Sequence, residues 1–217
     1  MDRQTWVRAP IAARRAASLA VLLVALAPDP VAAQAPNATT AFESSQFRYG
    51  VALPAGCRHE EGPGTVDAIC APDFEPEKSG VASNATALVL GVAADPSPAD
   101  GDTSIAGLQQ RFGATSFKEE LPETVCGESD KARVKIENLN EAVEDTRLVL
   151  SADVVCAPVK FLQIGERRAL VRHVIAPDMR YRLVARAPIE DYEKQRAAIG
   201  AFFASFRVLP TEKQFEK

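Results

Sequence analysis

Residues 168–208 read RALVRHVIAPDMRYRLVARAPIEDYEKQRAAIGAFFASFRV, and this stretch decides the fold. Its first part alternates with period two, as a strand does. Odd positions carry Ala169, Val171, His173 and Ile175, then Tyr181, Leu183, Ala185 and Ala187. Even positions carry Arg168, Arg172, Arg180, Arg182 and Arg186, with Leu170, Val174 and Val184 between them. Pro177-Asp178 marks a turn, so the two runs form a hairpin. Its loop length sets which faces coincide, because a one-residue slip turns every side chain over. An odd loop over 177–179 puts Ile175 opposite Tyr181, His173 opposite Leu183 and Val171 opposite Ala185. That register gathers one apolar face and one arginine-rich face, and it is the register we expect.

Pro188 ends the second strand. Ile189, Tyr192, Ile199, Phe202, Phe203 and Phe206 then recur at steps of three, four or seven, one face of a helix. Leu209-Pro210 is expected to end it. Burying its phenylalanines contributes roughly 1.5–3 kcal/mol each before entropy is subtracted, so this helix should clamp the sheet.

Working back from that block, Val159 to Ile164 and Leu148 to Cys156 read as strands, as do Val134 and Ile136 with their polar neighbours. The span 117–145 is acidic. Ile105, Leu108 and Phe112 give a short helix, with Asp102-Thr103 as its cap. Ala87 to Ala94 is a continuous apolar run, a strand covered on both faces. CRHEEGPGTVDAIC (57–70) is a hairpin with Gly62-Pro63-Gly64 at its turn, and Phe47 to Leu53 is a half-buried strand. The order of elements predicts an α+β fold, an antiparallel sheet flanked by helices in one domain over 46–210. Residues 34–45 read as a flexible lead-in and 211–217 as a tail.

Residues 1–33 carry Arg3, Arg8, Arg14 and Arg15, the apolar run Ala17 to Ala27, and Val31-Ala32-Ala33 before Gln34. That is the pattern of a secretory signal, with an apolar core too short to span a bilayer. Its four Arg and two Asp leave with it, taking the formal charge from −4 to −6. Nucleic acid is thereby disfavoured as a partner. No later segment is long and apolar enough to be a membrane anchor. All four cysteines, Cys57, Cys70, Cys126 and Cys156, follow the signal. An even count in an exported chain reads as disulfides. Of three possible pairings, Cys57–Cys70 and Cys126–Cys156 are favoured, contributing about 3 and 3.5 kcal/mol.

The opening FRYGVALPAGC (47–57) resembles the "strand, then Leu-Pro-x-Gly" entry of the PsbP and Mog family. The ending MRYRLVARAP (179–188), followed by a helix closing on Phe203-Ala-Ser205-Phe206, resembles the same family. The resemblance covers about 46–208 and implies an α/β/α sandwich. It implies a largely non-catalytic role, as accessory subunits and partner-binding proteins, and transfers no catalytic residue. Cys57 stands where the family usually has Trp after the Gly, and the disulfides and the acidic middle are further departures.

Several clusters carry candidate chemistry. Cys57, His59, Glu60, Glu61 and Asp67 offer metal-ligand types on one hairpin, but only one histidine among them, and a cysteine expected to be oxidised. We read them as a polar hairpin tip. His173 on the apolar face is a candidate general base; we read it as a core histidine with a backbone partner. Ser151 and Ser205 lack a nucleophile-elbow context, and no HExxH, Walker A or GxGxxG occurs. Arg168, Arg172, Arg180, Arg182 and Arg186 suit carboxylate or phosphate, on a ligand or an acidic partner. Against that stands a structural role, with stems packed and heads paired to residues such as Glu119 or Glu120. The sequence thus predicts an exported, non-catalytic accessory or partner-binding protein of the bacterial envelope, with no cofactor. The alternatives are a periplasmic protein that binds a small anion or a metal, and a hydrolase built on His173.

Overall fold

The computed structural model describes residues 39–70, 87–97, 101–127, 130–160 and 164–210, and these fall within one compact unit. The expected signal (1–33), the tail (211–217) and the loop 71–84 lie outside the described residues.

Seven strands make the central antiparallel sheet. They are β3 (Arg58–Gly62), β4 (Thr65–Cys70), β5 (Leu88–Pro96), β6 (Val134–Glu144), β7 (Arg147–Cys156), β8 (Arg167–Ile175) and β9 (Met179–Pro188). Their spatial order is β3-β4-β5-β9-β8-β7-β6, so the hairpin β8–β9 lies mid-sheet, and β3 and β6 are the edges. A three-stranded sheet joins β1 (Thr39–Ser44), β2 (Tyr49–Pro54) and β10 (Arg207–Val208).

Helices α1 (Ile105–Phe112) and α2 (Ala114–Cys126) cover one face of the large sheet. Leu108, Phe117, Leu121 and Val125 bury there against Leu148, Leu150, Ala152, Val154, Ala169, Val171 and Ile175. The other face takes α3 (Ile189–Tyr192), α4 (Arg196–Ser205) and β2. Ile199, Phe202 and Phe203 pack there with Tyr49, Val51, Leu53, Leu90, Val92, Tyr181, Leu183 and Ala185. Coverage of both faces explains why β5 reads as a continuous apolar run.

Several expectations change. The β8–β9 loop has two residues, Pro177 and Asp178, closed by the Ala176 N–H donating to the Met179 carbonyl. The register is therefore Ile175 with Arg180, Val174 with Tyr181, His173 with Arg182 and Val171 with Val184, one step from the expected one. Because both faces are covered, neither has to be purely polar. The long helix breaks at Glu193–Gln195 and ends at Ser205, since Arg207 and Val208 pair with Gly50 and Tyr49. Part of the expected lead-in is the strand β1, paired along Thr39 to Ser44 with β2. Val159 and Ile164 form only an isolated bridge. The cap of α1 is Ser104, whose hydroxyl accepts from the Gly107 N–H.

The disulfides are Cys57–Cys70, across the mouth of the β3–β4 hairpin, and Cys126–Cys156, tying the end of α2 to β7.

Tyr49 is fully buried, and its hydroxyl has no hydrogen-bond partner among the described residues. Burial pushes its pKa up to about 12. An unsatisfied buried hydroxyl costs free energy that its removal returns. Tyr49→Phe is expected to raise stability by about 1 kcal/mol, read from the urea midpoint.

Candidate functional site

The register sends the five arginines to two faces, where one arginine-rich face was expected. Arg180, Arg182 and Arg186 lie on the α2 side with His173, while Arg168 and Arg172 lie on the α4 side. Arg180 pairs with Glu120 of α2 and lies over the Phe112 ring, 5.5 Å from its centroid. Arg182 donates to Asp95 at 2.7 Å and reaches Glu120 at 4.0 Å. Arg168 bridges Asp153 at 3.5 Å and Glu193 at 3.6 Å, over Tyr192. Arg172 lies 5.3 Å over the Phe203 ring. These stems close the sheet to its helices, and most of the charged heads are spent on pairing. Arg186 is different: among the described residues it has no ion pair, and its charge acts on Asp67 and on Arg167.

His173 is 3% exposed, its ring edge-on to Phe117 with centroids 4.6 Å apart. Its partner is a side chain and not the backbone: Arg180 Nη2 lies 3.2 Å from Nδ1. Arginine only donates, so Nδ1 accepts and the ring proton sits on Nε2. Burial, then Arg180 and Arg182, hold its pKa well below 6.5. The unfolded ring titrates near 6.5, so below that value the unfolded state binds more protons and stability falls as pH falls. A loss of about 2 kcal/mol between about pH 7.5 and pH 5 is expected from this residue. Comparing urea midpoints of wild type and His173→Gln across that range isolates it.

The hairpin cluster does not converge. Strand alternation puts Glu60 opposite Asp67, and His59 and Glu61 on the reverse face, with Cys57 in a disulfide. Among the described residues no group of three His, Cys, Asp or Glu side chains is placed to hold a metal ion. Ser205 is a structural clip: its hydroxyl donates to the Phe202 carbonyl at 2.8 Å and accepts from the Ala52 N–H at 2.9 Å. Ser151 stands on β7 opposite Arg172.

Two concavities stand out among the described residues, and neither was expected. A groove of about 670 Å³ runs between α2 and the edge strand β6. Pro122, Val134, Ile136 and Leu139 give it apolar walls, and Lys118, Lys131 and Lys135 line it with one carboxylate, Glu119. These are three of the chain's eight lysines, set within its acidic span. Lys135 pairs with Glu137 at 2.5 Å; Lys118 and Lys131 have no ion pair among the described residues. Leu139 and Val143, on the same strand, are exposed. The second concavity, about 190 Å³, lies between α2 and strands β4, β5, β9 and β8.

No family model matches the chain, and no curated protein matches it in sequence. Among solved structures it is similar to cyanobacterial PsbP (CyanoP) from Synechocystis sp. PCC 6803, at TM-score 0.54 and 14% identity, covering 81% of this chain and 95% of that one. It is also similar to LpqN of Mycobacterium tuberculosis, described as involved in cell envelope biogenesis, at TM-score 0.46 and 10% identity, over 82% and 88%. A protein of unknown function from Pseudomonas aeruginosa aligns at TM-score 0.46 and 10% identity, over 80% and 99%. The chain therefore has a PsbP-like α+β fold, as the Leu-Pro-x-Gly entry and the closing strand and helix implied. The two disulfides fit an extracytoplasmic compartment. No helix among the described residues is long and apolar enough to cross a membrane.

Proposed function

We propose that this protein is a non-catalytic envelope protein that binds a partner through the α2–β6 groove. The observation that carries the reading is that groove: apolar walls, three lysines and an edge strand with an open side. An edge strand beside a helix can accept an extended segment as a further strand. The lysines favour a partner segment that alternates acidic and apolar residues. Lys135, and the register shift between Glu137 and Asn140, blunt promiscuous pairing of this edge. The arginines support the same reading, since the structure engages most of them in its own carboxylates and rings.

The test places a photoreactive residue in cells at Leu139, in the groove, and at Ile189, exposed on the opposite layer. A recurrent adduct with one envelope protein is expected from position 139 only. Reversing Lys118, Lys131 and Lys135 to Glu together should abolish it. Adducts indifferent to position or to charge reversal, or none at all, overturn the proposal.

A further inference from the structure

The smaller cleft is produced by strand register. Thr65, Ala93, Arg182 and His173 stand in one row across β4, β5, β9 and β8. Asp67, Gly91, Val184 and Val171 form the next row. Gly91 and Ala93 hollow the floor at β5, and Thr124 and Val125 of α2 form the overhang. The Asp67 carboxylate lies across Gly91, where a Cβ would have to push it aside.

Two polar groups in this cleft lack protein partners on the sides that face it. The half-buried Asp67 carboxylate accepts no hydrogen bond among the described residues, and burial pushes its pKa up. His173 spends Nδ1 on Arg180, so its Nε2–H is a donor with no acceptor among the described residues. Beside His173, the Arg182 Nε has no partner among the described residues, although its terminal nitrogens reach Asp95 and Glu120. Buried polar groups are normally paired, and unpaired ones carry a cost that a ligand can relieve. The cleft is also polarised: the Asp67 carboxylate, which feels the charge of Arg186, stands at one end, and at the other stand the His173 imidazole and the Arg182 Nε, the rest of that guanidinium being engaged with Asp95 and Glu120.

We propose that this cleft binds a small zwitterion, an amino acid or amino-acid-like molecule, with its ammonium on Asp67 and its carboxylate against His173 Nε2–H and Arg182. A bare anion leaves Asp67 unmet and repelled. A bare cation leaves the donors unmet. Thr65 and Thr124 also line the cleft. Thr124 already donates to the Glu120 carbonyl at 2.9 Å, so its oxygen is left to accept.

The chain has two histidines, His59 and His173, so imidazole NMR reads the site directly in the intact protein. The probes are glycine and γ-aminobutyrate, with acetate and butylamine as single-charge controls. A saturable shift of the His173 Nε2 signal is expected with at least one zwitterion, while His59 stays still. Each control should bind about ten-fold more weakly or worse, the cost of one lost charged contact. Asp67→Asn should weaken the zwitterion by about ten-fold or more while the His173 Nδ1 signal, still fixed by Arg180, reports an intact fold. The proposal fails if His173 does not respond to either zwitterion at millimolar concentration. It also fails if acetate alone matches the zwitterions, or if Asp67→Asn, with Nδ1 unmoved, leaves binding unchanged.

Discussion

Phe202→Ala is expected to destabilise the fold by about 4 kcal/mol. Phe202 is 1% exposed on α4, its ring 5.2 Å from that of Phe203. Around it stand Tyr49, Val51 and Leu53 of β2 and Leu183 and Ala185 of β9. The transfer term alone is about 2–3 kcal/mol for a phenyl group. The cavity term adds to it because α4 is held from several directions and has little freedom to sink into the void. The Ser205 hydroxyl ties its last turn to Ala52, and β10 fixes the chain beyond it to β2. Urea denaturation reads the result as a shifted midpoint at constant slope. Lys194→Ala, at an exposed side chain paired with Asp191, is the control and should move the midpoint little. A loss under about 1 kcal/mol for Phe202→Ala would mean that α4 can repack onto the sheet.

That helix was half legible in the sequence. Ile199, Phe202 and Phe203 lie at helical spacing and do face the core. Its end was hidden because Phe206 extends the helical period, yet belongs to an aromatic group with Tyr49 and Tyr181 beyond the helix. The period continues through a change of structure, and only the tertiary pairing of Arg207 with Gly50 shows where the helix stops. Helix α2 was missed for the opposite reason. Phe117, Leu121 and Val125 recur every four residues, but they sit in an acidic span interrupted by Pro122. Weighing charge above period concealed the helix that covers half the sheet.

The single arginine-rich face turned on one loop length. Choosing three loop residues instead of two gathered five arginines onto one face and made them look like a ligand surface. The two-residue turn splits them, and both faces tolerate them because each is roofed by helices that bring Glu120, Tyr192 and Phe203 within reach. Two local signals pointed to the sites that replaced that face. Gly91 interrupts an apolar strand, and a glycine inside a strand often marks a close approach. Lys118, Lys131 and Lys135 stand out in a span otherwise read as acidic. Neither signal carries a location, because a cleft between a helix and a sheet exists only once α2 has been placed.

Removing the second disulfide, by Cys126→Ala with Cys156→Ala, is expected to cost about 3.5 kcal/mol. The bond closes a loop spanning 30 residues, longer than the 13 spanned by Cys57–Cys70. In the chain-entropy account its loss frees the unfolded state by that amount. The folded state loses something as well. Cys126 is the last residue of α2, and Cys156 is buried at the end of β7. Apart from the bond, the Arg167 guanidinium reaches the Cys126 carbonyl at a marginal 3.5 Å. Thr124 and Val125 overhang the small cleft immediately before it. The same substitution should therefore loosen the cleft before the protein unfolds. Amide exchange at Thr124 and Val125 should accelerate beyond the change in global stability, while exchange in β4 and β5 should follow the global change alone. Wild-type protein with both disulfides reduced should be less stable than the double variant by the contribution of Cys57–Cys70, about 3 kcal/mol. If the double variant loses under about 1 kcal/mol, packing of Phe117, Leu121 and Val125 holds α2 to the sheet without the covalent tie.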